Sequence, residues 1–138
     1  MTIEQGLCSS FKRESWQAIH NLEVDSIKVA LYTSAASLGP ATTVYSTTNE
    51  VTGAGYTAGG LVLTGAQVVL SGTTAYVTFN NATWSGASFT ARAALIYNSS
   101  KANRAIAVLN FGSDKLASGT FTIQMPAATA TSALIRFR

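Results

Sequence analysis

Ile27-Lys28-Val29-Ala30-Leu31-Tyr32 sets Ile27, Val29 and Leu31 against Lys28, Ala30 and Tyr32. Successive side chains of an extended chain point to opposite faces, so this period of two marks a strand with one face in a core. The alternation returns along the chain. Ala75, Val77 and Phe79 oppose Tyr76 and Thr78; Ile106 and Val108 oppose Ala107, Leu109 and Phe111; Phe121, Ile123 and Met125 oppose Thr122 and Gln124. Leu61–Leu70, Ala91–Tyr97 and Ala133–Phe137 read as further strands. Turn-formers separate the runs at Gly39-Pro40, Ser71-Gly72, Asn80-Asn81, Asn98-Ser99-Ser100, Gly112-Ser113-Asp114, Ser118-Gly119 and Pro126. About seven or eight short strands at this spacing predict an all-β domain, a β-sandwich or jelly roll over residues 25–138.

Residues 1–20 follow another period. Ile3, Leu7, Phe11, Ala18 and Ile19 recur at three- to four-residue intervals, with Glu4, Lys12, Arg13 and Glu14 between them. That spacing predicts one amphipathic N-terminal helix, opened by Thr2 and stopped near Asn21. Leu38–Gly60 fits neither period. It is rich in Thr, Gly and Ala and long for a connection, so it is expected to be less regular than the strands and to meet a neighbouring chain.

The chain of 138 residues is long enough for one domain with its own core, and 47% hydrophobic residues exclude a disordered chain. No apolar run reaches the roughly 20 residues a bilayer crossing needs, so no membrane partner is expected. Charged residues make up 11%, well under the usual quarter or so, which suits faces covered by neighbours better than a freely diffusing surface. The net charge of +3 is spread out. Lys12-Arg13 and Arg136-Phe137-Arg138 come closest to clusters, and neither is the basic stripe a nucleic acid requires. The opening Met1–Gly6 lacks the basic-then-apolar order of a secretion signal, which predicts synthesis in the cytosol.

Catalysis needs a titratable group beside a partner that tunes it, and few groups qualify. His20 is the only histidine and is expected at the helix C-terminus, where a cation suits the dipole. Cys8 is the only thiol, which excludes an internal disulfide and reads as a small core residue. Of the acids Glu4, Glu14, Glu23, Asp25, Glu50 and Asp114, the first four lie in or just after the helix, where facing solvent is the default. One His and one Cys do not make a zinc site, and Asp114 and Glu50 do not make a calcium loop. Gly53-Ala54-Gly55-Tyr56-Thr57-Ala58 matches the dinucleotide pattern Gly-x-Gly-x-x-Ala, but Gly60-Leu61-Val62-Leu63 after it is strand-like, whereas that loop must open a helix. The reading is therefore non-enzymatic, with no catalytic, cofactor or metal residues. A sugar platform from Tyr45, Tyr56, Tyr76, Trp84 and Tyr97 is the competing idea, with Trp84 expected in core packing instead.

Several strings together resemble a family of small structural proteins of tailed bacteriophage particles. They are Phe11-Lys12, Lys28-Val29-Ala30-Leu31-Tyr32-Thr33-Ser34, Leu38-Gly39-Pro40, Asn49-Glu50-Val51, Gly55-Tyr56-Thr57-Ala58-Gly59-Gly60 and Ala94-Leu95-Ile96-Tyr97-Asn98. The resemblance implies a head decoration or cement subunit on the outer capsid surface, with the major capsid protein as partner. The alternatives are a tail, baseplate or fibre component, or a glycan-binding module on a fibre. Self-association is expected, a dimer ahead of a trimer, because one self-complementary patch serves both partners. Trp16 and Phe11 are expected to cap the sandwich rather than dock onto a partner, since a short helix gains most by burying one face.

Overall fold

A computed structural model describes residues 2–129 and 131–137; Arg138, counted above among the terminal basic residues, lies outside the described residues. The chain is all-β with one short helix, as the periodicity predicts. In order come β1 (Gly6–Leu7), α1 (Ser9–Trp16), β2 (Ile27–Tyr32), β3 (Leu61–Val62), β4 (Gln67–Ser71), β5 (Thr74–Thr78), β6 (Ala82–Asn98), β7 (Arg104–Ile123) and β8 (Ile135–Phe137). Two antiparallel sheets result: five strands in the order β1-β7-β6-β2-β3, and three in the order β4-β5-β8.

The long hairpin of β6 and β7 is the frame. Its inner half, Ala93–Asn98, is wholly buried between β2 and β7. Side chains on both faces of this stretch are buried, which is why Ala93-Ala94-Leu95-Ile96-Tyr97 reads as a continuous apolar run. The outer half alternates, and the alternation slips once. Ala82 and Trp84 are buried, then Ala87, Phe89 and Ala91, so the phase moves by one residue at Gly86. Gly86 is an extra residue between the pairs Ser85↔Thr120 and Ala87↔Gly119, at φ +61°. The bulge keeps the apolar residues on the core side.

Several expected elements need correction. Leu61–Leu70 is not one strand: Leu61-Val62 pairs with β2 and Gln67–Ser71 with β5, in different sheets. Gly112-Ser113-Asp114 and Ser118-Gly119 do not end strands. The first lies in a bulge, where Phe111–Asp114 stands opposite Arg92 alone, and Gly119 pairs across from Ala87 within β7.

The helix is eight residues long rather than spanning 1–20. Ahead of it, Gly6 and Leu7 pair with Val108 and Ala107, and Ile3 forms a parallel bridge with Leu38. The apolar residues at 3 and 7 thus fit a sheet edge as well as a helix face. Cys8 takes the N-cap position instead of Thr2, without a side-chain cap, and the Ser9 amide is satisfied by the Pro40 carbonyl at 2.8 Å. At the other end Ala18 turns to φ +58°. The Ile19 amide reaches back to the Glu14 carbonyl and the Ala18 amide to that of Ser15. This is a Schellman closure with alanine where glycine is usual.

Leu38–Gly60 contains no named strand and is attached through the single bridges Ile3↔Leu38, Val44↔Arg104, Tyr32↔Glu50 and Ala54↔Ser88. Gly53 and Gly55 let it lie against β6: a Cβ on Gly55 would meet the Gly86 carbonyl oxygen at 2.7 Å. The glycines of the dinucleotide-like string serve this close approach, and the chain runs on into β3. One buried cluster, drawn from Cys8 to Ile135, joins the helix, both sheets and this segment.

Candidate functional site

Titratable side chains gather in two places. The first lies where α1 and the following turn meet the tip of the β6–β7 hairpin. Glu14, on the inward face of α1 three residues after Phe11, is only 3% exposed. Its two oxygens are divided between His20 Nε2 and Arg104 Nη1, each at 2.8 Å. His20 Nδ1 lies 3.0 Å from Asn98 Nδ2, and the same amide nitrogen donates to Asp25 Oδ2 at 2.8 Å. Asn98 Oδ1 accepts the Ser100 amide, which fixes the orientation of the carboxamide. With Asn98 donating to Nδ1, the ring N–H sits on Nε2 and faces Glu14. Lys101 Nζ closes the chain on Asp25 at 2.8 and 2.9 Å.

Burial alone raises a carboxyl pKa, and here hydrogen bonds and cations outweigh it. Glu14 is held below its usual range by His20 and Arg104, against its own desolvation. Asp25, likewise opposed by desolvation, is drawn down to about 2 by Lys101, the Asn21 amide and Asn98. The expectation that Glu14 and Asp25 face solvent is therefore corrected. His20 is also not at the helix end, since the helix stops at Trp16 and the imidazole is interior.

The arrangement holds charge and offers no nucleophile. His20 and Asp25 meet only through Asn98. The nearby serines serve the backbone: Ser99 Oγ donates to the Ser26 carbonyl, and Ser100 Oγ accepts the Ser26 amide. Cys8 is fully buried, the small core residue expected, although it lies at the N-cap rather than on a helical face. Burial and the neighbouring Glu14 push its thiol up to about 11, so little thiolate forms at neutral pH. Among the described residues no group of three or more His, Cys, Asp or Glu is placed to hold a metal, and no helix is long and apolar enough to cross a membrane.

The second cluster is built on Glu50, which is buried without an ion-pair partner among the described residues. Three neutral donors serve it: Tyr45 Oη at 2.7 Å, Tyr56 Oη, and the Gly59 amide at 2.8 Å. Tyr97 Oη donates to the Gly59 carbonyl at 2.7 Å, and Tyr32 Oη to that of Ser46 at 2.6 Å. Burial first, then the Glu50 charge, raises the pKa of Tyr32, Tyr45, Tyr56 and Tyr97, that of Tyr97 to about 12. Every bond in this cluster ties the 38–60 segment to itself or to β2 and β6. Four of the five aromatic residues considered as a sugar platform are consumed here and beside it. Tyr45 stacks on Tyr97 at 4.6 Å, Trp84 is buried against Tyr56 and Phe121, and Tyr76 stands apart on β5.

Some large apolar side chains remain outward. Trp16 is 92% exposed, correcting its expected role as a cap on the core; Phe11 takes that role alone. With Leu7, Lys12, Ser15, Arg136 and Phe137, Trp16 borders an open cleft of about 690 Å³. Phe137 leads from this cleft to Phe11, 6.3 Å away between ring centroids. A larger concavity of about 830 Å³ lies between the N-terminal segment and residues 35–49, lined mostly by Thr, Ser and Ala with Glu4 as its single acid. Comparison with protein-family models, curated proteins and solved structures finds no match.

Proposed function

We propose that this chain is a non-enzymatic structural subunit of a tailed-bacteriophage particle, a head decoration or cement protein that bridges major capsid proteins on the outer capsid surface. The observation that carries the reading is the division between inward and outward groups. Histidine and two of the four helix-region acids are spent on internal bonds and the cysteine is buried in the core, while a tryptophan and a phenylalanine face outward beside Lys12 and Arg136. Buried tryptophan and arginine are the side chains that carry most binding energy at protein interfaces. The low charge content lets neighbouring faces approach with little desolvation cost. The phage resemblance stated for the sequence supplies the setting, and a self-associating subunit supplies the bridge.

The test compares particles with and without this protein. A cement subunit is present in proportion to the capsid protein, and heads lacking it lose DNA at a lower temperature. Copies in proportion to tail or fibre proteins, with heads of unchanged heat resistance and tails malformed, would replace this reading with the tail, baseplate or fibre alternative.

A further inference from the structure

Sheet edges that stay unpaired are normally short, charged or bulged, because an unguarded edge adds a strand from another chain. Most edges here follow that rule. β1 and β3 have two residues each, β8 has three and carries Arg136, and β7 beyond β1 is broken at Phe111–Asp114 and carries Asp114 and Lys115. β4 does not follow it. Gln67-Val68-Val69-Leu70-Ser71 has no charge, proline or bulge, and pairs in unbroken register with β5. Among the described residues, no backbone hydrogen bond outside that ladder reaches it.

The register decides which groups are free. Ser71 and Thr74 flank the turn Gly72-Thr73, with Gly72 at φ +60°, so they form the hydrogen-bonded pair that closes a two-residue hairpin. Ser71, Val69 and Gln67 therefore direct their backbone groups to β5, and Val68 and Leu70 direct theirs outward. Val68 and Leu70 are also the exposed apolar residues of the strand, at 46% and 75%.

We infer that β4 pairs antiparallel with β4 of a second copy about a two-fold axis at Val69, joining the two three-stranded sheets edge to edge. The sequence is self-complementary in that register. Val68 lies opposite Leu70 of the partner copy, on the same face, and Gln67 opposite Ser71. The outward groups of Val68 meet those of Leu70, as an antiparallel hydrogen-bonded pair requires. Val69 faces its own symmetry mate as a non-hydrogen-bonded pair, where side chains come closest. With no charge in β4, a differently charged partner has nothing to complement, whereas a second copy matches apolar to apolar and polar to polar. The inference rests on the self-association proposed above and names its surface.

Sedimentation of the full chain across a dilution series, beside Val69→Lys and Val69→Glu, tests it. The wild type is expected to dimerise and each variant to remain monomeric, because like charges face each other on the axis. An equimolar mixture of the two variants should recover the dimer mass, which misfolded protein would not do. Val68→Pro, which removes an outward N–H and leaves the β5 ladder whole, should also be monomeric. A wild-type oligomer that all three variants retain, or folded Lys and Glu variants that stay monomeric when mixed, overturns this interface and leaves self-association standing. A wild type that is monomeric throughout overturns both, including the case in which the edge instead takes a strand from another particle protein.

Discussion

Asp25 accepts hydrogen bonds from Lys101, Asn98 and the Asn21 amide, and each bond favours its charged form. Its pKa in the fold, about 2, lies below the ordinary 3.8. A carboxyl lowered on folding adds stability that is complete above the unfolded value and is lost as pH falls through the folded one. The loss should therefore run from about pH 4 to about pH 2, and amount to about 1–2 kcal/mol after discounting for the partly exposed Lys101. Urea unfolding of the wild type and of Asp25→Asn at neutral and acid pH checks this; the variant should lose this component of the pH dependence. Glu14 adds to the same trend, since its pKa is lowered as well. None of this pairing is legible along the chain. Glu14 and Arg104 are 90 positions apart, and Asn98 and Asp25 are 73. A residue's partners in a sheet protein come from distant strands, so an acid in a helical run carries no mark of the arginine that will bury it.

At the scale of elements, the end of α1 invites one change. Ala18 holds the left-handed conformation that closes the helix, and a Cβ is strained there. Ala18→Gly is expected to stabilise the protein by about 0.5–1 kcal/mol, the relief exceeding the added freedom of the unfolded chain, as a higher midpoint in denaturant. The strands show what periodicity conveys. β2 is legible as a strand, because one register serves its whole length, but Ala30 and Tyr32 on the face opposite Val29 and Leu31 are buried as well. β6 and β7 are legible only in pieces. Gly86, Gly112 and Gly119 interrupt the apolar pattern just as a turn would, yet the chain bulges at the first two, stays paired at the third, and continues. Glycine permits both outcomes, and the choice depends on whether a partner strand lies alongside. The helix shows the converse. Ile3 and Leu7 fit a helical period, and an available edge on β7 claimed the second of them for a strand.

For the whole molecule, the exposed Trp16 is one feature that sequence reading places wrongly. With Phe11 and Glu14 setting the inward face of α1, a residue five positions past Phe11 lies about 140° around the helix and points away. Trp16→Ala should leave folding stability within about 0.5 kcal/mol, since little is buried there. If the proposed capsid contact uses it, the same variant should bind particles that lack the protein at least about tenfold more weakly, measured by co-sedimentation. The order of the chain carries a different consequence. Gly6 and Leu7 find their partners at Val108 and Ala107, about a hundred residues later. At about 5–20 residues per second, a ribosome releases the first strand many seconds before its template exists. Through that interval Cys8 and Phe11, destined for the core, are without a place to go. Until β7 is made, this segment is thus a natural client for a chaperone.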